Sequence, residues 1–400
     1  MLFLLVFVTS AVAVAGCNEV ELVRWRRQAG AHWAERARFY FPALNARATN
    51  LFLVPLGVCF LVWGLFPKSD SGWHLVAAFL GSFLGNYPFD RALVPGLSFR
   101  VWFREACGML ALHAHGLLLF GLTVRFMPDR PGWRMAAVVS AYLLVHLALQ
   151  FGVIRFLRLL HVLRPAPARV QELVAATSAN LGVPVRGVWE MAHLNANAFA
   201  VTVSGDVAFT SRMLAAFTDD EIRVIAAHEL GHLSESRGTR LARLAGSLVF
   251  LPLIFLGPAG AHGGLKGVLL VAALAMLILV LRMRLSRTME TRADRVARET
   301  ETETAAYARA LEHLHQLNQL PAVLHQRTAR THPDLYDRMI ASGLTPDYPR
   351  PPPPARSWTG IPVYIALFII FLFFAVATAP PPSQSRPAPQ QPGAPSRPAP

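Results

Sequence analysis

The stretch Thr218-Asp-Asp-Glu-Ile-Arg-Val-Ile-Ala-Ala-His-Glu-Leu-Gly-His232 decides most of what can be read from this chain. Thr218 followed by Glu221 makes a capping box, so a helix is predicted to start just after Thr218. On it His228 and His232 stand at i and i+4, on one face, where two imidazoles can share a metal. Glu229, beside the first, is placed to reach a water at that metal and act as general base. The His-Glu-x-x-His pattern alone turns up by chance in on the order of one chain in a hundred, so the cap and the apolar helical setting carry weight.

A catalytic zinc takes three protein ligands and keeps one position open. Glu290 and Asp294 supply a candidate, at i and i+4 in Ser286-Arg-Thr-Met-Glu-Thr-Arg-Ala-Asp294. Glu290 is assigned to the metal and Asp294 to the shell behind it, orienting a ligand His through its other ring nitrogen. Glu299, Glu301 and Glu303 are rivals, but they sit in a Thr-alternating polar run that reads as a solvated face.

Outside these motifs the chain is unusually apolar. Of its 400 residues 54% are hydrophobic and 16% charged, against ~45–50% and ~25% for ordinary soluble domains. That excludes a simple soluble globule. Blocks long enough to cross a bilayer fall at 1–16, 48–67, 71–89, 106–124, 135–154, 244–265, 267–281 and 360–379, about eight spans, with 71–89 the weakest. The first reads as an uncleaved helix, since no basic segment precedes it and Arg24, Arg26 and Arg27 follow. The net charge of +14 would suggest nucleic acid in a soluble protein. Here the basic residues flank apolar blocks, so the partner they imply is the lipid bilayer and no nucleic acid is expected. With the N-terminus outside, the inside connections hold 31 Lys and Arg against 7 outside. The positive-inside rule then puts the polar stretches in the cytoplasm, as for a multi-pass protein of a bacterial inner membrane. Cys17, Cys59 and Cys107 allow no argument for a disulfide framework or a Cys-based zinc site.

The organisation that follows is a five-span bundle over 1–154, a first polar part over 155–243, a transmembrane hairpin over 244–281 and a second polar part over 282–348. A Pro-rich spacer and the last span fill 349–379, and a Pro-rich tail, expected to be disordered, fills 380–400. The two polar parts are large enough to fold together as one α+β domain. Phe199 to Val203 alternates, turns at Ser204-Gly205-Asp206 and continues as Val207 to Thr210, a hairpin by pattern.

Taken in order, Asn197-Ala-Phe-Ala200, His228-Glu-Leu-Gly-His232, Glu290-x-x-Ala-Asp294 and Thr331-His-Pro333 with Arg338 following strongly resemble the integral-membrane zinc endopeptidases that include the CaaX prenyl protease 1 and the heat-shock protease HtpX. The resemblance covers roughly 165–345, and the span count looks more like the CaaX protease branch. The last span and the tail depart from both. It implies a zincin-type metalloprotease domain holding one Zn2+ and cutting membrane-associated polypeptides. It also implies that substrate adds as a strand along Asn197 to Val203, with Asn197 near the reacting carbonyl and His332 as oxyanion donor. For Asn197 the plain alternative is a turn former, and for His332 a residue before a helix start.

Two other functions fit less well. A signalling receptor would need an external sensor domain, and the outside segments are short. A scaffold with structural zinc would not need Glu229. His113, His115, His146 and Gln150 fall inside apolar blocks, where imidazoles satisfied by neighbouring helices are the simplest expectation and a cavity lining the next.

Overall fold

The computed structural model describes residues 1–66, 71–94, 96–109, 115–193, 195–301, 305–324 and 334–354, with a few positions between 362 and 370. The helices before the sheet are α1 (Leu2–Arg26), α2 (Trp33–Leu65), α3 (Ser71–Leu84), α4 (Tyr87–Leu93), α5 (Phe99–Met109), α6 (His115–Phe126) and α7 (Trp133–Leu159). Next come β1 (Leu163–Pro165), α8 (Ala168–Leu181), β2 (Gly187–Met191), β3 (Ala198–Val201), β4 (Asp206–Thr210) and α9 (Ser211–Ala216). The chain continues through α10 (Asp219–Leu233), α11 (Arg237–Ser247), α12 (Leu256–Glu299), α13 (Ala306–Asn318) and α14 (Leu335–Ala341).

Two compact units result. The first holds Met1–Asn18, Ala46–Asn86 and 358–400. Its described helices approach closely: a Cβ on Gly81 would lie 2.1 Å from the Phe7 carbonyl oxygen, so only glycine fits there. Inside it the Asn18 amide donates to Asn86 and accepts from Asn50, each at 3.0 Å, which satisfies polar groups among apolar ones.

The second unit carries the mixed sheet, in the order β1-β2-β4-β3. β2 and β4 are parallel, and the other two pairings are antiparallel. Successive residues of central β4 serve two cores, as the pleat requires. Val207 and Phe209 join Val174 of α8 and Ile222, Ile225 and Leu230 of α10. Ala208 faces the other way, onto Ile154 and Leu157 at the end of α7. The expected hairpin is present, but β3 stops at Val201 and Thr202 to Gly205 form the turn. Pairing of Val201 with Asp206 leaves Thr202 and Val203 no partner on β4.

Among the described residues four helical stretches are long and apolar enough to cross a membrane: Leu2–Arg26, Trp33–Val62, Trp133–Leu159 and Arg237–Glu299. The last includes both expected hairpin spans. Gly264 leaves the helical region (φ 53°, ψ −145°), and a Cβ on Gly267 would touch the Ala259 carbonyl, so the chain doubles back there. The expected block 71–89 is divided between α3 and α4. At 1.5 Å per residue, the 14 residues of α3 reach only about 21 Å, short of a ~30 Å hydrocarbon core. Block 106–124 is divided between α5 and α6, and the block 360–379 and the tail lie outside the described residues, apart from isolated positions.

Candidate metal centre

α10 starts as the capping box dictates. Thr218 Oγ1 accepts from the Glu221 amide, and the Glu221 carboxylate accepts from the Thr218 amide at 2.9 Å. The helix is buried on most sides, with Glu229 7% and His232 8% exposed. Gly231 faces α12 so closely that a Cβ would lie 2.9 Å from the Ala293 Cα. A larger residue would push α12 away, and with it Glu290.

That approach assembles the centre. Glu290 Oε2 lies 3.5 Å from Nε2 of His228 and 3.5 Å from Nε2 of His232. Ligand atoms of the three residues lie within 4.8 Å of one another, close enough to hold one metal ion. The remaining ring nitrogens are engaged. His228 Nδ1 is 2.8 Å from the Tyr307 hydroxyl and 3.3 Å from Asp294 Oδ1. Tyr307 in turn donates to Asp294 Oδ1 at 2.7 Å, and Arg338 Nη2 lies 2.9 Å from Asp294 Oδ2 and donates to Tyr307 at 3.2 Å. Since the hydroxyl spends its one proton on Asp294, it accepts from His228 Nδ1–H. On α10 itself His232 Nδ1 faces Glu235 Oε1 at 3.3 Å, and Arg243 of α11 donates to the same oxygen at 2.5 Å. Once deprotonated, both imidazoles would keep their proton on Nδ1 and offer Nε2 to a metal shared with Glu290, the donor set that suits zinc.

The electrostatics agree. Burial opposes protonation of His228, but hydrogen bonds to Asp294 and Glu290 and the charge of Glu229 outweigh it and hold the ring at about 10. Burial likewise opposes protonation of His232, and Glu235, Glu290 and Glu229 hold it at about 9. A pocket so rich in carboxylate calls for positive charge, which protons or a cation can provide. Burial and the Asp294 charge push the Tyr307 phenol well up against the opposing Arg338, so it stays a neutral donor.

Residues 166–342 match the family model of Peptidase family M48. This stretch is an M48 domain. M48 is the family of the CaaX protease and HtpX, so the domain is of metallopeptidase type, and the match ends within a few residues of the motif limits. The M48 domain brings His228, Glu229, His232, Glu290 and Asp294 together. Asn197 is not among them: it is exposed just before β3, its amide donating to Thr210 Oγ1 and its carbonyl accepting from the Thr210 amide, both at 2.8 Å. Asn318 of α13 clamps the preceding Ala196 from both sides, at 2.8 and 2.6 Å. His332 and Glu303 lie outside the described residues.

Tyr307 and Glu235 escaped the sequence reading. Tyr307 reads as core on the apolar face of α13, whereas Glu235, three residues after His232, was open to detection as an i, i+3 partner. Glu301, expected on a solvated face, accepts from the amides of Ala305 and Tyr307 at 3.1 and 3.2 Å. It caps the helix that delivers Tyr307. Among the histidines of the apolar blocks, His146 Nε2 shares a hydrogen bond with Ser247 at 2.8 Å and Gln150 bonds His115 at 3.2 Å, so each ring has an interhelical bond, while His146 Nδ1 is buried without a partner among the described residues. His113 lies outside the described residues.

Proposed function

We propose that the M48 domain is a zinc-dependent endopeptidase, embedded in a membrane and cutting polypeptides at the cytoplasmic membrane surface. The observation that carries this is the convergence of His228, His232 and Glu290 on one point, with buried Glu229 on the same helix beside them. Zinc held by these three would act as Lewis acid, polarising the scissile carbonyl and acidifying water. Glu229 takes the proton of the attacking water as its oxygen adds to the carbonyl carbon. As the C–N bond breaks, Glu229 returns that proton to the leaving amine. His332 keeps the role of oxyanion donor that the resemblance implies.

Substrate binds as an added strand on β3, which stands at the end of the described sheet, with Asn197 aligning the reacting carbonyl. Membrane embedding is supported by the exposure of Leu269, Leu270, Leu274 and Leu277 on α12, apolar surface that lipid covers better than water. The cytoplasmic side follows from the arginines at the span ends, among them Arg155, Arg240, Arg282 and Arg287. Glu229→Gln tests the reading, with zinc content and peptide cleavage measured on one preparation. Zinc should stay bound while the rate falls ~10²–10⁴-fold; activity within tenfold of wild type would refute the assignment.

A further inference from the structure

A pocket of about 470 Å³, a size suited to a specific ligand group, opens where α10 ends just past His232. Its walls are the segment after α8, the turn between β3 and β4, and the junction of α10 with α11. Glu235 is part of that wall and reaches back to within 3.3 Å of His232 Nδ1, so the pocket opens one side chain away from the metal centre. The charge of Glu235 is already matched by Arg243. Two further cations, Arg186 and Arg240, come from different elements, line the pocket and are exposed. No carboxylate among the described residues pairs with either side chain. Among the described residues, the pocket therefore presents two guanidinium groups that no carboxylate pairs, beside a Glu235 already bonded to Arg243.

Position along the cleft says what meets them. Thr202 and Val203 in the pocket wall directly follow edge strand β3, whereas Asn197 precedes it. A polypeptide adding antiparallel to β3, the more stable pairing, has its earlier residues at the Val201 end and its later ones at the Asn197 end. With the reacting carbonyl near Asn197, the pocket receives residues before the cut. We propose that Arg186 and Arg240 bind an acidic side chain of the substrate on the N-terminal side of the scissile bond. This rests on the protease reading above and gives that site a substrate class. Guanidinium forks match carboxylates in charge and shape, and a neutral side chain would leave both charges of the lining unmatched.

Two measurements on the full-length, zinc-loaded protein in detergent test this. In the first, a mixed peptide digest is cleaved and the cut sites are mapped by mass spectrometry. Asp and Glu should be enriched about tenfold within three positions before the cut, and Arg186→Gln/Arg240→Gln, checked for unchanged zinc content, should remove the enrichment. No enrichment in the wild type, or enrichment that survives the double substitution, overturns the proposal. In the second, binding to Glu229→Gln is measured for two amidated fluorescein-labelled peptides that differ only by Glu or Gln. The Glu peptide should bind about tenfold more tightly, and the difference should vanish in the arginine variants and at high salt. Equal binding overturns the acidic pocket. A preference for Glu without any wild-type cleavage would keep the pocket and overturn the protease reading instead. A Gln peptide that regains tight binding through a free C-terminal carboxylate would overturn the placement before the cut. Loss of binding to phosphatidylglycerol vesicles in the arginine variants, with peptide discrimination intact, would make this a lipid site and sink the proposal.

Discussion

His228 and His232 stand one turn apart on α10 and face the same carboxylate, yet the two imidazoles are held by supports of different origin. His232 leans on Glu235, just past the end of its own helix, backed by Arg243 from the next one. His228 is held by Asp294 of α12, Tyr307 of α13 and Arg338 of α14, three elements brought from far along the chain. Exposure differs as well. The Arg338 and Asp294 side chains are 15% and 9% exposed, whereas Arg243 is 38% exposed. One ring is thus fixed mainly by local sequence and the other by the packing of the whole domain, so damage should propagate unequally.

The most severe test removes what the two rings share. Glu290→Ala should abolish zinc binding measured by atomic absorption, because two imidazoles alone make a site of much lower affinity. Glu301→Ala should keep its zinc and lose only the cap of α13, about 1 kcal/mol. Retention of zinc by Glu290→Ala would mean that the third ligand lies elsewhere.

Protons offer a second test. With the rings at about 10 and about 9, a metal-free site is protonated at pH 7 and zinc must displace close to two protons on binding. Calorimetry in buffers of different ionisation enthalpy should show that release. Both folded values lie above the ~6.5 of an unfolded His, so the protonated rings stabilise the metal-free fold fully below about pH 6.5. The contribution is lost as pH rises through 9 and 10, and the melting temperature of chelator-treated protein should fall over that window. A flat profile would break the electrostatic account of both supports.

The third test compares the two arginines. Arg338→Ala leaves the buried Asp294 without its cation and should cost on the order of 3–5 kcal/mol, read as a large drop in melting temperature. Arg243→Ala also strips the cation from a buried carboxylate, Glu235 being 1% exposed, but the guanidinium it removes is 38% exposed and water can replace it in part, so the loss should be smaller, on the order of 1–3 kcal/mol. Equal losses would erase the asymmetry. The finest test leaves both arginines in place. Tyr307→Phe deletes the acceptor of His228 Nδ1–H and should weaken zinc ~10–100-fold in a chelator competition. Glu235→Gln keeps an oxygen at His232 and should weaken it by less than about tenfold. The reverse order would make the local support the dominant one.

The parts of the centre that could be read without a structure are those built within a turn or two of helix. The cap at Thr218, the pairing of His228 with His232 and that of Glu290 with Asp294 are i, i+3 or i, i+4 relations, which helix geometry enforces wherever the helix forms. The hairpin of β3 and β4 was legible from alternation and a Gly-containing turn, though not its register, which depends on where the ladder of hydrogen bonds can close. Tyr307 was not legible, because an aromatic residue on the apolar face of α13 carries the same pattern whether it only packs or also receives a hydrogen bond. Arg338 stood out as part of a motif, but nothing local said that it would meet Asp294.

Sequence by itself determined the chemistry on offer: two imidazoles and a base on one helix, two carboxylates on another, apolar blocks fit for lipid, and an excess of arginine at their ends. Tertiary structure decided which groups meet. Close approach at Gly231 sets Glu290 against both rings, α13 and α14 deliver Tyr307 and Arg338 to His228, and the order of strands leaves β3 at the edge beside the pocket of Arg186 and Arg240. Side-chain spacing along one helix follows from backbone geometry alone, whereas contacts between helices depend on how the whole core fills space, which no local window contains.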